Sequence, residues 1–150
     1  MGNRQLEDAD YTYMQQAIQQ AELGKTPFGC VIVQYDKIIS EAFNTVSVSH
    51  DPSAHAEINA IRKACQQLQT PYLSQATLYT TGEPCPMCMS AILYAKIQRV
   101  VFSASIPTIA RFMPQISMSS TEIAAQSCQS IILMGPFMEE RCITLLQKFS

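Results

Sequence analysis

The sequence predicts an α/β fold, a three-layer α/β/α sandwich built on a five-stranded mixed sheet. Three observations predict it. Hydrophobic periodicity switches between helical and strand-like spacing in the order α-β-β-α-β-α-β-β-α. The first two strand-like runs are joined by a short turn, so they pair antiparallel, whereas a helix separates the third from the fourth and makes them parallel with a right-handed crossover. A length of 150 residues with 47% apolar content is enough for one continuous core. No repeat, low-complexity stretch or linker divides residues 1–150, which are expected to form one domain.

The elements follow in order. A first helix is predicted from Asp8 to Leu23, with Tyr11, Met14, Ile18 and Ala21 on one face and Gly24 as its stop. Acidic residues at its start suit the positive end of the helix dipole. The β-branched run from Phe28 to Val33 and the run from Ile38 to Phe43 flank Tyr35-Asp36-Lys37 and predict a β-hairpin. Ser53 is the expected N-cap of a second helix that carries Glu57 in its first turns, shows an apolar stripe at Ile58, Ile61, Ala64, Cys65 and Leu68, and ends by Pro71. Thr77–Thr81 reads as the third strand. Pro84 sits where a helix tolerates proline at its start, and Met89, Ile92, Leu93 and Ile97 continue that helix. Val100–Phe102 and Ile131–Met134 are the fourth and fifth strands, and Met138, Cys142, Leu145, Leu146 and Phe149 mark a last amphipathic helix. Ser103 to Ser120 has no period and is expected to be loop with one turn of helix.

Composition narrows the function classes. The net charge is −2 and charged residues make up only 15% of the chain. The densest basic clusters are Arg62-Lys63 and the pair Lys96 and Arg99, which argues against nucleic acid as the main partner. No apolar run is long enough to cross a bilayer, and the stretch Met1–Asp8 lacks both the apolar core of a signal peptide and the Ser or Thr that N-myristoylation needs at position 6. Six cysteines outside a secretory context are expected to be reduced or metal-bound, which places the protein in the cytoplasm.

The residues that carry chemistry are His55-Ala56-Glu57 and Pro84-Cys85-Pro86-Met87-Cys88. One imidazole and two thiolates are ligands that zinc prefers, and three protein ligands leave a fourth tetrahedral position for water, as in a catalytic site. Cys85 and Cys88 stand at i and i+3, on one side of a first helical turn. Glu57 then supplies the carboxylate that moves protons beside the metal. A purely structural zinc completed by Cys30, Cys65, Cys128 or Cys142 is the competing reading, although none of these has a partner at motif spacing. His50, the other histidine, reads as a loop or pocket-rim residue.

The H-x-E … P-C-x-x-C arrangement resembles that of the zinc nucleobase deaminases. Over roughly residues 10 to 105 the sequence resembles the cytidine/deoxycytidylate deaminase superfamily, nearest the branch of guanine deaminases and tRNA adenosine deaminases. The resemblance is carried by Thr26–Val33, Asn44, Asp51–Glu57 and Leu78–Met89. It implies a cytidine deaminase-like fold and zinc-dependent hydrolysis of an amino group on a nucleobase or nucleoside, with guanine the nearest familial substrate. It further implies that Asn44 hydrogen-bonds a carbonyl or ribose, that Phe28 stacks on the base, that the backbone near Ala56 and Pro84 helps hold substrate, and that the protein is a homodimer. Taken from the residues alone, Asn44 reads as a turn residue and Phe28 equally as core.

The resemblance fades after the fourth strand. Guanine deaminases of this type place an acidic residue there to accept from the guanine ring, but Ser103 to Ser120 holds one charged residue, Arg111. The carboxylate is expected from Glu122, Glu139 or Glu140, or from none of them. Two readings compete with a free base or nucleoside: wobble-position deamination of tRNA adenosine, and a non-catalytic zinc module for assembly.

Overall fold

A computed structural model describes residues 6–150; the expected absence of a leader bears partly on residues 1–5, which lie outside the described residues. Strands β1 (Gly29–Gln34) and β2 (Lys37–Phe43) form the hairpin, followed by β3 (Ala76–Gly82), β4 (Arg99–Ala104) and β5 (Ile132–Met134). They make one sheet in the order β2-β1-β3-β4-β5. β1 pairs antiparallel with both β2 and β3, while β3/β4 and β4/β5 are parallel, so the sheet is mixed as expected. Helices α1 (Asp8–Gly24), α2 (Val46–Ser49), α3 (Ala56–Leu68), α4 (Pro86–Tyr94), α5 (Ile106–Ile109), α6 (Ser120–Ala125) and α7 (Glu139–Phe149) complete the described chain.

The period-two rule assigns the layers. Along β1, Cys30 and Ile32 join Ala60, Ala64, Met89 and Ile92 under α3 and α4, while Val31 and Val33 join Met14, Ala17, Cys142 and Leu146 under α1 and α7. β3 and β4 are buried almost throughout, as strands covered on both faces must be, whereas β2 alternates and keeps Lys37 and Glu41 in solvent at the sheet edge. α1 lies close against β1: a Cβ on Gly29 would stand 2.1 Å from the Ala17 carbonyl oxygen, so only glycine lets helix and strand approach this far. The hairpin turns on Tyr35 and Asp36, both left-handed, which matches the twist of the two strands.

Several boundaries differ from expectation, each for a local reason. Gly24 lies inside α1, and Lys25 takes the left-handed cap instead. Tyr11 is 47% exposed, its ring in an edge-to-face arrangement with that of Phe137. Ser53 does not cap α3, because its amide and hydroxyl both donate to Asp51; the chain stays extended for two more residues and His55 occupies the N-cap. α3 stops at a left-handed Gln69, before Pro71. Pro86, not Pro84, opens α4. β5 starts at Ile132. The single turn of helix expected between 103 and 120 is α5, whereas α2 and α6 were not foreseen. α6 forms through a reciprocal cap between Ser119 and Glu122.

Asp10 was read as a complement to the helix dipole, and it does more. It is buried, and both of its oxygens accept from the Arg99 guanidinium at 2.9 Å, with Tyr79 donating at 2.6 Å. Burial alone would push the Asp10 carboxyl up, but the hydrogen bonds from Arg99 and Tyr79 outweigh it and hold it below the ordinary carboxylate range. Arg99 Nε has no partner among the described residues, so the ion pair carries the compensation for burying this guanidinium. A carboxyl depressed in the folded state stabilises it above the unfolded pKa, and that contribution is lost as pH falls through the folded value. Urea midpoints measured downward from pH 6 are therefore expected to drop as Asp10 protonates. Asp10→Asn should destabilise at neutral pH by about 3–5 kcal/mol, by stranding the Arg99 charge, and should flatten the acid limb. An unchanged midpoint at neutral pH would show that the pair is not structural.

Candidate active site

The site forms where two helices begin. In α3, His55 is the N-cap and Glu57 the second helical residue; in α4, Cys85 is the N-cap and Cys88 lies in the first turn. Each N-cap has extended backbone, which turns its side chain toward the other helix instead of along its own surface. His55 Nδ1 lies 3.6 Å from Cys85 Sγ and 3.5 Å from Cys88 Sγ. The three donor atoms all fall within 4.8 Å of one another, a spacing that one tetrahedral ion can bridge. Among the described residues no fourth His, Cys, Asp or Glu joins this set, so Cys30, Cys65, Cys128 and Cys142 do not complete a four-ligand site. The chemistry and convergence of the donors fit zinc, with one position left for water.

The electrostatics treat the donors differently. A hydrogen bond from Cys88 overcomes burial and, with His55 beside it, lowers the Cys85 thiol to about 4. The same contact and burial push Cys88 up. Hydrogen bonding to Cys85 raises His55 against its burial. Glu57 is only 6% exposed, and burial, reinforced by the nearby Cys85 charge, pushes its carboxyl up to about 7.

His55, Glu57 and Cys85 open into a cavity of about 410 Å³. The structure brings Asn44 and Phe28 to the same cavity. Asn44 Oδ1 accepts from the Val46 amide at 2.9 Å, which leaves its amide hydrogens as donors. Phe28 is placed by Thr81, whose hydroxyl donates to the Pro27 carbonyl and accepts from the Gly29 amide. A Cβ on Gly82 would lie 3.1 Å from the Phe28 ring, so the glycine gives the ring its place on the cavity wall. Ala56 and Pro84 are buried beside the ligands and do not contribute to the lining; Pro84, having no N–H, can offer only its carbonyl. His50 is an exposed left-handed residue that ends α2, away from the cavity.

The far wall is where sequence reasoning missed most. Ile109, Met113, Pro114 and Gln115 line it, although their segment has no legible pattern. None of the three expected acidic residues does so. Glu122 is exposed and caps α6, Glu139 accepts from the Ser105 amide, and Glu140 is exposed on α7. Asn59 was missed as well. Its amide donates to Phe43, Thr45 and Ala54 and ties α3 to the segment that carries Asn44. An asparagine at an i+4 spacing from His55 was the available signal.

A histidine, two cysteines and a glutamate gathered at two helix starts beside a mixed sheet define the site class of the zinc nucleobase deaminases. The chain belongs to the cytidine and deoxycytidylate deaminase family, whose zinc-binding region matches residues 7–104. It is 51% identical over 78 residues to a guanine deaminase of Bacillus subtilis (strain 168), spanning 52% of this chain and 50% of that relative. It is 33% identical over 148 residues to a tRNA-specific adenosine deaminase of Buchnera aphidicola subsp. Baizongia pistaciae, covering 96% of this chain and 90% of the relative. A solved structure from work on A-to-I editing by tRNA deaminases at the wobble position superposes with a TM-score of 0.76 at 27% identity, over 93% of this chain and 99% of that one. The chain thus spans about half the length of the first relative and most of the second.

Replacing His55 or Cys88 by Ala should lower bound zinc from about one ion per chain to near zero in purified protein, measured by elemental analysis. Cys128→Ala, a change to an exposed cysteine away from the site, should leave the content unchanged. Full zinc in Cys88→Ala would refute the ligand set.

Proposed function

We propose that this protein is a hydrolytic deaminase of a free purine or pyrimidine base, or its nucleoside, with His55, Cys85 and Cys88 holding one zinc ion and Glu57 moving protons. The observation that carries the reading is that the three donors converge within 4.8 Å of one another and that two of them, His55 and Cys85, open with Glu57 into one cavity of about 410 Å³, within the range of small-molecule sites. A bound zinc ion supplies the Lewis acidity that makes water a nucleophile near neutral pH. Glu57 takes a proton from that water and delivers it to the ring nitrogen of the amidine. Water oxygen bonds to the amino-bearing carbon; Glu57 then takes the proton of that new hydroxyl and passes it to the amino group, so that a C=O forms, the C–N bond breaks and ammonia leaves. Asn44 donates to a carbonyl of the base, Phe28 stacks on its face, and the buried floor around Glu57 keeps bulk water away.

Small substrates are favoured by the lining itself, which includes no Lys or Arg to grip a phosphate backbone. Guanine is supported by the identity with the Bacillus subtilis relative through the motif region. The absence of Glu122, Glu139 and Glu140 from the cavity weighs against it; the acidic residues that line it are Glu57 and Glu83, with Asn44 and Gln115 beside them. A second reading, deamination of adenosine in tRNA, is favoured by the full-length similarity to the Buchnera relative, so nucleic acid stays in the test. The same proposal has one domain over residues 1–150 acting in the cytoplasm as a homodimer. Tyr72 and Tyr94, 55% and 79% exposed on either side of the hydrogen bond from Leu73 to Ala95, are suited to a dimer contact. Sedimentation showing a monomer at every concentration would remove that part.

Zinc-loaded protein should release ammonia from at least one of guanine, adenine, cytosine and their nucleosides. Glu57→Gln should keep its zinc and lose roughly 100- to 10,000-fold in kcat. Ammonia release only from tRNA, with binding that weakens steeply with salt, would replace the small-molecule reading. No release from any of these substrates would leave a zinc module without catalysis.

A further inference from the structure

We propose that Glu83 is a positioning residue that holds residues 105–120 as a ready-made wall of the substrate cavity. Glu83 is 8% exposed and lies just past the end of β3. Its amide donates to the Ala104 carbonyl at 2.7 Å, which extends the β3/β4 pairing and fixes the side chain in the crevice beyond the carboxyl ends of two parallel strands. The carboxylate then accepts three hydrogen bonds. Oε1 takes the Ile106 amide at 2.8 Å, and Oε2 takes the Ser120 amide at 2.8 Å and the Ser120 hydroxyl at 2.7 Å. Hydrogen bonds of this length to an ionised acceptor are among the stronger kinds.

The placement of those donors gives the interaction its function. Ile106 opens α5 and Ser120 opens α6, so one carboxylate gathers both ends of the segment that delivers Ile109, Met113 and Gln115 to the cavity. Between those ends the chain joins no strand; its first half is also held by Ile109 in the core and by the Ser105 amide on Glu139, whereas Ile116 and Met118 in its second half are exposed, so there the tie at Ser120 matters most. Closing such a loop before substrate arrives removes an ordering cost from binding. The effect falls on substrate affinity and leaves proton transfer to Glu57. This kinetic half rests on the deaminase reading above.

The test compares wild type with Glu83→Gln, which keeps the shape but sets an amide N–H₂ against a backbone N–H. Amide exchange over 105–120, zinc content, KM and kcat are read with guanine, adenine and cytosine. Exchange in that segment is expected to quicken about 10-fold or more. KM should rise about 10-fold, with kcat and zinc within about 2-fold. Ser120→Ala, which removes one donor of the three, should shift both readouts the same way by less, and it decides the matter if Glu83→Gln does not fold. Unchanged exchange overturns the proposal, as does faster exchange with unchanged KM. A joint loss of kcat and zinc also overturns it, because Glu83 would then serve the metal turn. If wild type is inactive on all three bases, the deaminase reading fails on its own, and exchange alone decides whether Glu83 holds the wall.

Discussion

Neither α3 nor α4 carries a complete site. The donor set exists only because the N-terminus of each helix is set against the other, and that encounter depends on how the helices are seated on one face of the sheet. Alanines at 56, 60 and 64 let α3 sit low over Cys30 and Ile32, while Met89 and Ile92 seat α4 over the same face. Packing of this density has few alternative solutions. The 3.5 Å and 3.6 Å separations between the imidazole and the sulfurs are therefore set in part by apolar side chains that are not themselves donors. A third constraint keeps the encounter polar in the right place: both N-caps are extended, so ligands replace the usual capping side chains.

How much of this was legible in the sequence follows from the range of each interaction. Strand positions and the ligand trio were readable because they depend on period and spacing within one stretch of chain, as with Cys85 and Cys88 on a single turn. Ser53 misled because cap preference assumes that the hydroxyl is free, and Asp51, two residues away, had already taken it. Asp10 looked like an ordinary first-turn acid because its partner lies 89 residues further along. Residues 103 to 120 were illegible for the same reason in stronger form. Their order comes from Glu83, which is 23 residues before Ile106 and 37 before Ser120 and leaves no periodic trace in the segment it organises.

That division has a counterpart in the family relationship. The matched region ends at residue 104, so it contains every donor, Glu57, Asn44 and Phe28. The wall at Ile109, Met113 and Gln115 begins just after it. The metal-binding cluster and the far wall of the cavity thus lie in different parts of the chain. Proteins named for guanine and for tRNA adenosine can both resemble this one strongly through the first part. Glu83 lies within the matched region and bonds to both ends of the segment beyond it.

Gly29 adds a mechanical relation between distant parts of the molecule. It follows Phe28 directly, and the backbone of α1 at Ala17 and Ala21 lies so near that not even a methyl group fits between them. The helix on the sheet's outer face is therefore a rigid stop behind the cavity's aromatic wall. A side chain at position 29 would meet the α1 backbone at once, so the residue next to the cavity's aromatic wall is held at one fixed spacing from a helix that lines no part of the cavity.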